Sequence, residues 1–140
     1  MKFTRLHPWR LDYEKAIQVQ ETLRDRLILK KPTGKICTVA GADVSYDKQS
    51  DRFFAGVVVF KLGRHLERVE ERTAVGKARF PYIPGLLSFR EAPILLKVFT
   101  KLKITPDIIL FDGQGIAHPR HFGLASHLGL ILERPSIGCA

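Results

Sequence analysis

The stretch that most constrains this chain is Asp107-Ile108-Ile109-Leu110-Phe111-Asp112-Gly113-Gln114-Gly115. Its four consecutive large apolar residues predict a strand buried on both faces, the pattern of a central parallel strand. The run stops at Asp112, and Gly113 and Gly115 then let the backbone turn sharply. Open α/β sheets hold their ligands at the carboxyl edge of such strands, where Asp112 would stand. The same carboxylate could instead satisfy a turn or cap the next helix, so the rest of the chain decides between the two.

A chain of 140 residues with 45% hydrophobic content predicts one domain with one proper core. No apolar run approaches the ~18–20 residues that cross a bilayer. Met1-Lys2-Phe3-Thr4-Arg5 is not followed by an apolar leader segment, so the expected location is cytoplasmic. The net charge of +9, from 23 basic against 14 acidic residues, favours an anionic partner such as nucleic acid. No long block of like charge occurs, so that charge is spread over a folded surface. Cys37 and Cys139 form no Cys-x-x-Cys pair and are expected to be reduced, buried thiols.

Asp12 is a plausible N-cap, and Ala16, Ile17, Gln20, Leu23 and Leu27 recur at helical spacing, which predicts a helix over about 12–29. Residues 36–46, 53–62 and 66–75 predict three strands joined by short turns, an antiparallel meander. Alternation along the first puts Val39, Gly41, Asp43 and Ser45 on one face and Ala40, Ala42, Val44 and Tyr46 on the other. Residues 86–103 predict a helix with Leu87, Leu95, Val98, Phe99 and Leu102 on its apolar stripe, kinked or split at Pro93. After the opening strand come a loop over 113–121, a helix over about 122–133 and a strand over 136–140. The order β-β-β-α-β-α-β predicts an α/β fold, a mixed sheet of ribonuclease H-like architecture with helices on both faces.

Three carboxylates fall where burial makes them expensive. Asp43 lies in the small-residue first strand, Glu91 on the apolar stripe of a helix, and Asp112 at the end of the apolar run. A buried charge costs several kcal/mol unless it is paired or bound to metal. Each alone could pair with a neighbouring Arg or Lys. Together they point to a shared hard cation, Mg²⁺ or Mn²⁺, and on a basic domain to phosphodiester hydrolysis. His118, on the loop leaving the same edge, is a candidate to bind metal, orient water or shuttle a proton, and otherwise a surface loop histidine. His127 follows helical spacing and reads as packing or surface, and His7, His65 and His121 carry no signal. Pro81-Tyr82-Ile83-Pro84 holds two bulky side chains stiffly between prolines. That suits an apolar wedge that parts a base stack, or a rigid connector that covers the core.

Three segments strongly resemble the endonuclease V family: Val39-Ala40-Gly41-Ala42-Asp43-Val44-Ser45, Phe80-Pro81-Tyr82-Ile83-Pro84-Gly85-Leu86-Leu87-Ser88-Phe89-Arg90-Glu91, and Phe111-Asp112-Gly113-Gln114-Gly115-Ile116-Ala117-His118-Pro119-Arg120. They stand in the family's order and spacing, and the likeness runs from Leu6–Trp9 to Ile137-Gly138. The resemblance implies a ribonuclease H-like fold and a Mg²⁺-dependent nuclease, with Mn²⁺ able to substitute; a monomer is the default expectation. Its substrate would be DNA containing deoxyinosine, the deamination product of adenine, nicked at the second phosphodiester 3′ to the lesion as a step in DNA repair. Some members prefer inosine in RNA. The implied metal ligands are Asp43, Glu91 and Asp112, and the implied wedge is Pro81-Tyr82-Ile83-Pro84 with Tyr82 at its tip. The pocket for the flipped base would use Gly85, Leu87, Gly113, Gln114 and Gly123, with His118 near the scissile phosphate. Family members continue past Ala140, starting with a catalytic lysine, so the chain reads as a fragment or a shortened relative. That leaves two functional readings, a nicking enzyme and a module that binds inosine strands but cuts them poorly.

Overall fold

The computed structural model describes all 140 residues. The elements are α1 (Tyr13–Arg24), β1 (Thr38–Tyr46), β2 (Arg52–Lys61), β3 (Glu67–Lys77), α2 (Leu87–Phe99), β4 (Ile108–Asp112), α3 (Leu124–Leu132) and β5 (Ser136–Cys139). Asp12 does cap α1, accepting the Lys15 backbone N–H at 2.9 Å. The helix stops at Arg24, well short of residue 29. Beyond it Ile28 and Leu29 are 80% and 71% exposed, so the helical spacing has nothing to pack against.

The sheet order is β3-β2-β1-β4-β5. β1 and β2 pair antiparallel, as do β2 and β3, while β1–β4 and β4–β5 are parallel. The meander followed by parallel strands is the predicted mixed sheet. The helices are placed differently from the expectation of both faces. Two reversals make β3 parallel to β1 and β4, so β3-α2-β4 and β4-α3-β5 are both parallel crossovers, and both advance the same way across the sheet. Right-handed crossovers that advance in one direction lay their helices on one face. One cluster of 21 buried residues fills the space between helices and sheet, with Ala40, Ala42, Val57, Ile109 and Phe111 facing Leu95, Phe99 and Leu128. α1 lies behind this layer, where Ala16 joins Phe80, Leu86 and Phe89 in a second cluster.

The opposite face carries no helix. Phe54, Val75, Leu110 and Ile137 are all exposed there. β4 is therefore buried on one face only, contrary to what its apolar run suggests. Ile109 and Phe111 are buried, while Leu110 is 36% exposed. Both cysteines are free and exposed rather than buried, Cys37 just ahead of β1 and Cys139 on edge strand β5. Pro93 sits inside α2 without splitting it.

Candidate active site

β1 and β4 run parallel in the register Ala42↔Phe111, which sets Asp43 and Asp112 side by side at the carboxyl edge. Both side chains belong to exposed residues. The Asp43 carboxylate accepts the Val44 backbone N–H at 2.7 Å. Glu91 approaches from α2, half-buried, close enough to feel both aspartates. Burial first, then the Asp43 charge, then that of Asp112 push its carboxyl up to about 7, against a smaller opposing pull from Arg90. Arg90 is spent elsewhere. It donates to the Phe80 carbonyl at 2.8 Å and lies over the Phe53 ring at 5.0 Å. None of the three acids has an ion-pair partner. The three do not form a group of ligands close enough to hold a metal ion as they stand, and what links them is the charge of the two aspartates felt at Glu91. The donor set is all hard oxygen, and its mutual repulsion is what a divalent cation would relieve, so these residues fit Mg²⁺ or Mn²⁺.

Ahead of α2, Pro81, Tyr82 and Pro84 are exposed and Ile83 is half-buried against Phe80, Leu86 and Phe89. Ile83 anchors to the core, and Tyr82 projects with 70% of its surface free.

His118 does not offer a free ring nitrogen. It is 5% exposed. Its Nδ1 accepts the Arg120 backbone N–H at 3.0 Å, which leaves the proton on Nε2, and Nε2 donates to the Gly85 carbonyl at 2.8 Å. Burial lowers its basicity and keeps it neutral. As it stands His118 joins the loop after β4 to Gly85, just after the Pro81–Pro84 segment.

The glycines play a packing part. Gly113 donates to the Cys139 carbonyl at 2.8 Å. A side chain on Gly123 would run into the Gln114 backbone, and one on Gly138 into Gly113 and Gly115. These residues let the 113–123 loop lie directly on β5 and the start of α3. Gly113 and Gly123 are buried, Gly85 and Leu87 half-buried and Gln114 exposed. Gln20 and Arg120, not singled out as site residues by the sequence, also meet Gly85. The available signal was a lone amide on the apolar stripe of α1, where Ala16, Gln20 and Leu23 are the buried residues.

The endonuclease V family model matches residues 21–140. This chain belongs to the endonuclease V family. It is 45% identical over 132 residues to the endonuclease V of Dictyoglomus turgidum, covering 94% of this chain and 56% of that relative. The solved endonuclease V of Streptomyces avermitilis matches with a TM-score of 0.87 at 44% identity, over 99% of this chain and 61% of that one. The endonuclease V of Ciona intestinalis, solved in complex with a 24mer DNA containing an inosine followed by a ribo-adenosine, matches with a TM-score of 0.78 at 32% identity, over 89% of this chain and 56% of that one. This family member thus spans 56% to 62% of the length of the curated relatives it matches.

Proposed function

We propose that this endonuclease V family chain carries the metal-binding and lesion-reading part of a nuclease that hydrolyses phosphodiesters beside inosine in DNA, in the service of repair. The observation that carries the reading is the coupling of Glu91 to Asp43 and Asp112, with none of the three in an ion pair and only a smaller opposing pull from Arg90. Two exposed aspartates beside a half-buried glutamate whose carboxyl they help to raise support a site built for a cation. The inosine-containing DNA bound by the Ciona relative supports the choice of substrate.

Asp43, Glu91 and Asp112 would hold Mg²⁺, or Mn²⁺ in its place. When bound, the cation supplies positive charge against the attacked phosphate. Tyr82, carried on the stiff Pro81–Pro84 segment, would enter the stack beside the lesion and favour its extrusion. The extruded base would lie against the backbone of Gly85, Gly113 and Gln114, with Leu87 and Gly123 completing that wall. His118, with both ring nitrogens engaged inside the protein, would hold the loop and wedge in place rather than exchange protons. The nick is expected at the second phosphodiester 3′ to the inosine.

The test is incubation of the 140-residue chain with an inosine-containing duplex and Mg²⁺ beside Asp112→Ala. The variant is expected to lose about a thousandfold in nicking rate. If wild type and variant both leave the duplex intact yet retard it equally in a gel, the chain is a binding module and the nuclease reading fails. An inosine-containing single-stranded RNA run in parallel decides between the two substrates.

A further inference from the structure

The Gly85 carbonyl accepts three hydrogen bonds, from Gln20 Nε2 at 2.8 Å, His118 Nε2 at 2.8 Å and Arg120 Nη2 at 2.9 Å. The donors are themselves linked. Arg120 Nε donates to Gln20 Oε1 at 2.7 Å, and the Arg120 backbone N–H donates to His118. Gln20 is 1% exposed, and its amide is fully committed. Gly85 has a left-handed φ of +84°, and a Cβ there would lie 2.8 Å from Arg120 Nη2. The backbone at 85 is thus shaped to let a guanidinium approach its own carbonyl.

This hub joins three separate parts of the molecule. Gln20 comes from α1. Gly85 ends the Pro81–Pro84 segment and leads into α2, which carries Glu91. His118 and Arg120 come from the loop that leaves Asp112. One guanidinium N–H and two further donors on one carbonyl, with the guanidinium's Nε held by Gln20, make a strong, directional anchor. The alternative for a buried amide such as Gln20 is an unpaired polar group, which folding strongly disfavours.

We propose that Gln20 is a positioning residue for lesion recognition. Through Arg120 and the Gly85 carbonyl it holds the Tyr82 wedge at a set distance from the Asp43–Glu91–Asp112 edge, so that the base parted by the wedge is the one presented to the acids. Gln20 touches neither the acids nor the substrate. It acts by orienting Arg120 and by removing freedom from the segment that carries Tyr82. The inference rests on the wedge reading above.

The variants are Gln20→Met, which keeps the side chain's length and removes both hydrogen-bonding atoms, and Gln20→Glu, which keeps the acceptor for Arg120 and removes the donor to Gly85. Two measurements on the full chain decide. The first is the ratio of affinities for an inosine-containing duplex and the same duplex with adenine. Both variants should lower that ratio about tenfold and leave the affinity for plain duplex unchanged. A structural defect alone would weaken both affinities together. The second is hydrogen exchange of the segment 80–90, which should speed up in both variants while strand β2 keeps its protection. A folded variant that keeps the wild-type ratio overturns the proposal. So does unchanged exchange over 80–90. If wild type itself shows no preference for inosine, the lesion-reading function fails, and the exchange measurement alone decides whether Gln20 anchors the wedge. Gln20→Glu is the variant to rely on if Gln20→Met does not fold, because its carboxylate still pairs with Arg120.

Discussion

Two clusters of ionisable groups hang from α2, only three residues apart along it, and they are built on opposite terms. At Ser88 the helix meets His127 and His7. Ser88 Oγ donates to His127 Nδ1 at 2.8 Å, His127 Nε2 donates to His7 Nε2 at 2.7 Å, and His7 Nδ1 donates to the Pro8 carbonyl at 2.8 Å. That assignment follows from the carbonyl at the end of the chain, which can only accept. Trp9, Phe89 and Phe122 surround the pair, and burial keeps both imidazoles neutral. Every donor has an acceptor. At Glu91 the same helix meets two aspartates, no ion-pair partner and only a smaller pull from Arg90. A buried polar group with all its partners reads as structure, while like charges held together without compensation read as a binding site.

The largest effect that would break this comparison is on stability. His127→Ala removes a fully buried ring and leaves Ser88 and His7 without partners, so urea unfolding should show a loss of about 3 kcal/mol. Glu91→Gln should lose nothing at pH 8 and is expected to gain. A His127→Ala chain as stable as wild type would mean the network is incidental.

Acid separates the clusters next, because they respond with opposite sign. The imidazoles of His7 and His127 ionise less readily folded than unfolded, so their contribution is present above the ordinary histidine value of 6.5 and is lost as pH falls below it. Glu91 is raised from 4.5 to about 7, so its contribution is greatest below 4.5 and is lost as pH rises through 7. In wild type the two trends oppose each other between pH 7 and 5. In Glu91→Gln only the histidine trend remains, and Tm should fall steadily on acidification below pH 6.5. A variant profile no steeper than that of wild type would show that the Glu91 carboxyl is not raised by burial and the aspartates.

A smaller effect tests the acids directly. Mg²⁺ at about ten times its dissociation constant should raise Tm by about 4 °C, and Asp43→Asn should abolish the shift. Equal shifts in both proteins would place the cation elsewhere. The smallest expected change is in Tyr82→Ala, within about 0.5 kcal/mol of wild type in stability because the ring is exposed, yet losing more affinity for inosine-containing duplex than for plain duplex. Loss of stability beyond that would make Tyr82 a core residue and not a wedge.

Much of the acid edge was legible in the residues. Asp43 and Asp112 each end or interrupt an apolar strand, and Glu91 interrupts an apolar helical stripe, so local periodicity alone exposes all three. The histidine network was not legible. His7 and His127 lie 120 positions apart, and nothing in either neighbourhood announces the other. His118 misled for the same reason. Its loop position suggested an available imidazole, and only the folded arrangement brings Gly85 and the Arg120 backbone N–H to its two nitrogens.

By itself the sequence determined the element order, the two alternating faces of β1, the place of Asp112 at the end of β4 and the family, because these rest on local pattern and on residue types at set spacing. Tertiary structure alone decided that both crossover helices share one face, that the 113–123 loop lies backbone to backbone on β5, and that Gln20 and Arg120 meet on the Gly85 carbonyl. Those outcomes depend on strand order and on contacts about a hundred residues apart, and each is settled only when the whole sheet has closed.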